Sequence, residues 1–593
     1  MKHALTLLLL LALCTAAFAT RPLRRAFHHR QADGTMLVLT KEGHAGCIFY
    51  ATPDGKALIK DADGHYYYAR LEGHEIVASR HMAHLRELRS PEEQEFVESQ
   101  GLDLSRSAEL LQRHHAPSPK NSASTADGMG LYGLSATGTV PSIGEINIPV
   151  IMVSFPDRDF LEESTTEKTS RRLNEAGYHD EAYSVGSVRD YFTAQSYGMF
   201  SPTFTIVARV RASKSYAYYG ENRGTANDIR VTELVAEAID SAMARGVDFS
   251  AFRAADNTIP LVSIYHAGPG EHSAFESGSD KYIWAHYSSF STTRSGTRFK
   301  SYFIGNETLQ SYELGTEGDT LITGTAIDGI GVFCHEFGHA LGLPDFYKTN
   351  GAQSYHTPDL WSIMDYGQYF RNGYAPIGYN AYERSFMGWL PFETLKADSA
   401  QLVEIAPLHK AEGKRCVRIV NPGNDKECYL MENRQPSTWF PQQMGHGMLL
   451  FHLDYLGSTW SANTLNNAQN HLRFMYVPAD GQTQARGHGG TYAQFAGDLY
   501  PGTSGVNEIA TLPVFTGGTM ATSIYHIEEL SDSTLRFAYL DPTVGLRKVS
   551  GQEQGAEATY FTLDGRRLTA RPSRPGLYLE QLPGVPARKV IIR

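Results

Sequence analysis

His335-Glu336-Phe337-Gly338-His339-Ala340-Leu341-Gly342-Leu343-Pro344-Asp345 is the stretch on which the reading of this chain turns. On a helix, His335 and His339 stand one turn apart on one face, so both imidazoles can reach a single ion. Glu336 lies beside that face, where a carboxylate can hold a water at the metal and take its proton. Gly342 can adopt the left-handed conformation that ends a helix. The chain can then fold back and bring Asp345 in as a third ligand. The His-Glu-x-x-His pattern alone would arise by chance about once in twenty chains of this histidine content, and requiring Gly342 and Asp345 makes a match about a hundred-fold rarer. The bland alternative is a buried helix with two satisfied histidines.

Working outward, the chain has 593 residues, a length that suggests about four domains. Hydrophobic residues make up 41% and aromatics 11%, enough for sizeable cores. The net charge of −11, with no lysine- or arginine-rich face, argues against a nucleic-acid partner. Lys2 and His3 precede an apolar run from Leu5 to Leu13, and Ala17-Phe18-Ala19 follows as a small-x-small site. Residues 1–19 therefore read as a signal peptide cut after Ala19, which places the protein outside the cell or on its surface. Leu13 ahead of Cys14 argues against lipid attachment. No other stretch reaches the ~18 apolar residues of a transmembrane helix.

Cys47, Cys334, Cys416 and Cys428 remain, too few for a disulfide framework. Cys416 and Cys428 flank the turn signal Asn421-Pro422-Gly423-Asn424. In a hairpin centred near Pro422 they read either as a cross-strand disulfide or as two buried thiols. Cys334 falls at helical spacing with Phe337 and Leu341, on the back of the motif helix rather than among its ligands.

Residues 20–114 read as a small α+β unit of strands (Met36 to Leu39, Cys47 to Ala51, Tyr66 to Ala69) and Asp-Gly turns, then a charged helix from about Pro91. Residues 115–140 are rich in Pro, Ser, Ala and Gly, with Lys120 open to trypsin-like cleavage, and read as an activation linker. A globular unit ahead of such a linker reads as a propeptide. Residues 141–390 have α/β texture, with strand runs at Ile148 to Phe155, Phe204 to Val210 and Ile259 to Tyr265. Helical periodicity covers Ile229 to Ala244, Ser187 caps a helix, and another helix is expected from Tyr379 to Met387. Residues 391–540 alternate as strands and read as a β-sandwich or jelly-roll-like domain, and 541–593 as a terminal β-module.

The motif segment, together with Trp361-Ser362-Ile363-Met364-Asp365-Tyr366-Gly367 and Tyr382-Glu383-Arg384-Ser385-Phe386-Met387-Gly388-Trp389-Leu390, resembles the immune inhibitor A-like family of bacterial secreted zinc metalloproteases. Supporting pieces are Ser187-Val188-Arg189-Asp190-Tyr191, His266-Ala267-Gly268-Pro269-Gly270-Glu271, Ile283-Trp284-Ala285-His286 and Gly497-Asp498-Leu499-Tyr500-Pro501. The resemblance runs from about residue 25 to 540. It implies a zincin-like α/β (α+β) catalytic domain with a metzincin-type Met-turn at Met364, Zn2+ held by His335, His339 and Asp345, and Glu336 as general base. Glu383 is the rival third ligand, as in zincins that use a helical glutamate. Tyr366 is placed like the tyrosine that helps stabilise the oxyanion in some metzincins, with plain packing as the alternative. Relatives often carry an acidic calcium-like loop. The stretch Asp248 to Asn257 has Arg253, Ala254 and Ala255 inside it, which argues against calcium there. Cys47 reads as a strand cysteine in preference to a latency ligand. Residues 541–593 resemble the sorting domains of type IX secretion, which would make the outer-membrane secretion machinery a partner.

The function expected is hydrolysis of peptide bonds in proteins by a secreted zinc endopeptidase made as a zymogen. The other classes are a surface adhesin on a decayed protease fold and a zinc hydrolase of a non-peptide substrate. Intact His335, Glu336 and His339 argue against the first, and a substrate panel separates the second.

Overall fold

The run Ile148 to Phe155, expected as a buried strand, meets the strand Gly144–Ser154, which ends one residue short of that run and is buried from Ile148 to Ser154. The computed structural model describes residues 18–22, 26–44, 47–61, 63–72, 75–103, 139–181, 183–223, 227–274, 278–310, 325–350, 355–484, 491–520, 522–543, 547–548, 558–581 and 587–592. The apolar run Leu5 to Leu13 and nearly all of the expected linker fall outside these residues, and so does the Cys47 side chain.

Gly144–Ser154 pairs in parallel with Phe200–Arg211 on one side and Val262–Pro269 on the other. Val262–Pro269 is parallel in turn to Thr297–Gln310. His286–Arg294 then runs antiparallel to Thr297–Gln310 at the rim. The short strand Phe18–Ala19 adds antiparallel to this rim strand, with Phe18 opposite Tyr287 and Ala19 opposite His286. Val231–Ala244 packs Val231, Leu234, Val235, Ala238 and Ile239 on one face of the sheet, as its 3.6-residue period requires. The other face packs against the motif helix Gly331–Ala340 through Phe204, Phe303, Phe333 and Phe337. Ser187 and Asn380 each close a capping box on their helices, with Asp190 and Glu383 as the returning carboxylates.

Ahead of this unit, strands from Phe27–Arg30 to Glu75–Met82 form a six-stranded sheet in sequential order. The helix Pro91–Ser99 covers it, capped by Ser90. Side-chain contacts, buried or partly buried, dock this unit on the seven-stranded sheet. Lys41 Nζ lies 3.1 Å from Glu271 Oε1, Lys60 Nζ lies 2.7 Å from Asp280, and Ile48 packs on Trp284.

Beyond residue 390, the five-stranded sheet is divided by the two-residue period of its strands. Cys428, Leu430, Leu449, Phe451 and Leu453 face the catalytic unit and share one core with Phe337 and Met364. Tyr429, Met431, Met448 and Leu450 face the other way and share a core with Val403, Ile405, Leu535 and Phe537 of a three-stranded sheet. The five-stranded sheet thus packs one face on the core of the motif helix and the other on the three-stranded sheet. The last four strands form a separate sheet with Gly576–Gln581 near its centre.

The Cys416–Cys428 disulfide does not form. The hairpin turns where expected, but its register sets Cys416 opposite Glu432 and Cys428 opposite Val420, leaving both thiols free and buried.

Candidate active site

The motif helix ends as its sequence dictates. Gly342 has φ +109°, and Leu343 donates back to Gly338 at 3.2 Å. The reversal lets His339 Nδ1 donate to the Leu343 carbonyl at 2.7 Å, while His335 Nδ1 donates to Ile363 at 2.7 Å. A carbonyl can only accept, so both rings carry their proton on Nδ1 and present bare Nε2 lone pairs inward. Those two Nε2 atoms stand 3.1 Å apart, and each lies 3.2 Å from Asp345 Oδ1.

Two imidazole lone pairs and a carboxylate oxygen in one buried triangle repel one another unless a cation joins them. Tetrahedral zinc with bonds of ~2.0–2.1 Å spaces its ligand atoms by about 3.3 Å, so this donor set fits the ion. Burial holds His335 below its ordinary pKa, which keeps it a neutral ligand. Burial alone would raise the Asp345 carboxyl, but His339 and His335 beside it hold it well below the usual carboxylate range. Among the described residues no other group of three such side chains converges this way.

Asp345 is itself held by a residue 118 positions away. Asn463 Nδ2 donates to Asp345 Oδ2 at 2.6 Å, and the Asp345 amide donates to Asn463 Oδ1 at 2.8 Å. Asn466 and Asn467 tie down the same loop at Phe346 and Thr349.

Glu336 is fully buried, and Oε2 has no hydrogen-bond partner. Burial, and then the charge of Asp345, push its carboxyl well above the ordinary value. Oε1 accepts from the backbone N–H of Thr20 at 3.0 Å. Phe18–Ala19 pairs with the rim strand just ahead of Thr20, and side chains hold the carbonyls of Thr20 and Arg21. Trp284 Nε1 donates to the Thr20 carbonyl at 2.8 Å, Tyr369 Oη donates to the Arg21 carbonyl at 2.5 Å, and Arg21 Nη1 reaches Asp365 Oδ1 at 3.2 Å.

Met364 is wholly buried beside the helix. A Cβ placed on Gly338 would come within 2.7 Å of its sulfur, so the glycine makes room for it. The Tyr366 ring lies under the Arg21 guanidinium, 4.2 Å from its centroid. Glu383 is not with the histidines: Ser362 Oγ donates to one of its oxygens, and the Asn380 amide donates to the other, closing the cap of its own helix. The stretch Asp248 to Asn257 spends its carboxylates locally. Asp248 accepts from Ser250, and Asp256 accepts from Thr258 and Lys300.

Sequence reasoning missed Asn463, Thr20 and Arg21 as parts of the site. Nothing in the spacing of Asn463 announces it. For Thr20 and Arg21 the one signal was their position directly after the expected cut at Ala19.

Residues 147–388 match the model of the family described as immune inhibitor A peptidase M6, catalytic domain. The chain is 28% identical over 280 residues to the pre-pro-metalloprotease PrtV of Vibrio cholerae serotype O1 (strain M66-2), covering 40% of this chain and 29% of that protein. It is 25% identical over 245 residues to immune inhibitor A of Bacillus thuringiensis subsp. alesti, covering 37% of this chain and 34% of that protein. The match therefore spans about a third of the length of these curated relatives. It is the unit containing the His335, His339 and Asp345 triangle that carries the pattern of an immune inhibitor A peptidase M6 catalytic domain.

Proposed function

We propose that this chain is a secreted zinc-dependent endopeptidase that hydrolyses peptide bonds in proteins, and that it is made as a latent precursor. The observation that carries the reading is the buried His335, His339 and Asp345 triangle with the Glu336 carboxylate beside it. The match of residues 147–388 to a peptidase family supports it.

His335, His339 and Asp345 would hold the ion. Bound there, zinc supplies a Lewis acid that lowers the pKa of water toward neutrality and polarises the scissile carbonyl. Glu336 accepts the proton of the attacking water and passes it to the leaving amine. The Thr20 amide, 3.0 Å from Glu336, occupies the place where that amine would sit. Rim strand His286–Arg294 offers its backbone to an extended substrate, as it does to Phe18–Ala19. Tyr366 would contribute by shaping the cleft wall, and a role at the oxyanion belongs to this proposal as well.

Latency follows from occupancy. While Thr20 and Arg21, which remain after a cut behind Ala19, lie against Glu336 and Asp365, Glu336 is engaged and substrate is kept from it. Lys41 and Lys60 anchor the unit that carries this segment. A cut within residues 115–140 would free the catalytic unit, and the terminal β-module would serve export through type IX machinery at the outer membrane.

The test compares wild type with Glu336→Ala, both without residues 1–19 and treated briefly with trypsin. Casein cleavage and zinc content are measured in each. Cleavage by wild type alone, with zinc in both, is expected. Zinc without cleavage in either sample would favour a non-peptide substrate. Wild type without zinc would overturn the ligand assignment and favour a binding protein.

A further inference from the structure

The segment in the cleft is this chain's own stand-in for a substrate, and it shows what the cleft accepts. Phe18 and Ala19 pair antiparallel with the rim strand, and the Thr20 N–H meets Glu336. In that register Ala19 precedes the position of the scissile bond, Thr20 follows it, and Arg21 is the second residue beyond it. Backbone pairing along an edge strand holds any sequence, so discrimination must come from side-chain sites.

The Arg21 site is specific in its chemistry. The Arg21 side chain is only 4% exposed, and its guanidinium lies 4.2 Å from the Tyr366 ring centroid and 5.6 Å from that of Tyr347 and contacts Asp365 Oδ1 at 3.2 Å. Asp365 is wholly buried, and its other oxygen is held independently of Arg21. Thr357 Oγ1 donates to Oδ2, and the Asp359 amide donates there at 2.9 Å. The carboxylate is therefore already oriented by the enzyme itself. The Asp365 carboxylate and the Tyr366 and Tyr347 rings together frame the place the guanidinium takes, an arrangement matched by a planar cation that stacks and donates at once.

We propose that Asp365, Tyr366 and Tyr347 form a specificity subsite for arginine at the second position after the cleaved bond, so that the substrate class is proteins with arginine there. This rests on the endopeptidase reading for the chemistry, but not for the recognition.

Two measurements test it, both on the full chain processed with trypsin that is then inactivated. Cleavage sites in a peptide library are mapped, and arginine is expected to be enriched about ten-fold at the second position after the bond. Binding of a peptide copying residues 18–22 to the processed Glu336→Gln chain is compared with that of the same peptide carrying citrulline for arginine. Citrulline keeps the shape and loses the charge, and about ten-fold weaker binding is expected. Asp365→Asn should erase both preferences, while the citrulline comparison stands whether or not that variant folds. Binding with the arginine preference but no cleavage would sink the endopeptidase reading and leave the subsite. Cleavage without arginine enrichment, or equal behaviour of the two peptides including no binding by either, would overturn the subsite.

Discussion

Asn463→Gly should weaken metal binding without touching a ligand. Asn463 adopts φ +56°, a region that alanine enters only at a cost of roughly 1 kcal/mol, so glycine deletes the side chain without adding strain. Two bonds are lost: the 2.6 Å donation to Asp345 Oδ2 and the 2.8 Å acceptance from the Asp345 amide. A hydrogen bond to a charged group contributes about 1.5–3 kcal/mol and a neutral one about 1 kcal/mol. The Asn463 carbonyl still accepts from Thr349 Oγ1, and Asn466 and Asn467 still hold Phe346 and Thr349, so the loop keeps its other tethers. Part of the loss falls on the metal-free state as well. The expected weakening of zinc binding is therefore about ten- to a hundred-fold, or ~1.4–2.8 kcal/mol, the range for outer partners of metal ligands. Competition against a chromophoric chelator measures it, with His339→Ala as the control that removes a ligand outright. Zinc affinity within two-fold of wild type, in a variant that melts normally, would refute the claim that Asn463 positions Asp345.

Gly338→Ala should lower stability by about 1–3 kcal/mol, because the new methyl would sit 2.7 Å from Met364 Sδ and 2.9 Å from Tyr379 Oη; a thermal midpoint equal to wild type would contradict this. Burial pushes the Asp328 carboxyl up to about 6, with Asn306 and Arg172 opposing. The folded state thus keeps a proton that the unfolded chain gives up near pH 4, and the resulting stability is lost as pH rises to about 6. The stability difference between Asp328→Asn and wild type should change by on the order of 3 kcal/mol between pH 4 and 7, and denaturant titrations at both pH values would reveal a flat difference. Cys334, Cys416 and Cys428 should resist thiol reagents in the native protein and react after denaturation without reductant, since burial raises all three thiols, Cys428 up to about 12. A Cys416–Cys428 disulfide would contradict the strand register.

The sequence alone was enough for features that depend on neighbours along the chain. The His335 and His339 spacing, the stop at Gly342, the cap at Ser187 and the turn at Asn421 to Asn424 follow from helical and turn geometry over a few residues. The runs Tyr429 to Glu432 and Met448 to Leu453 could likewise be read as strands from their two-residue period. Tertiary structure decided the rest. Asn463 reaches Asp345 because the five-stranded sheet packs on the core of the motif helix, a contact no local pattern encodes. Glu383, the rival ligand by resemblance to zincins that use a helical glutamate, is turned away because its own helix cap and Ser362 claim its oxygens. Cys416 and Cys428 are separated by a register set across a whole hairpin. Thr20 lies against Glu336, 316 residues away, because an open strand edge takes up whatever extended backbone can pair with it. Local geometry is written in covalent spacing, whereas the partners of buried charges are chosen by what the folded core brings within reach.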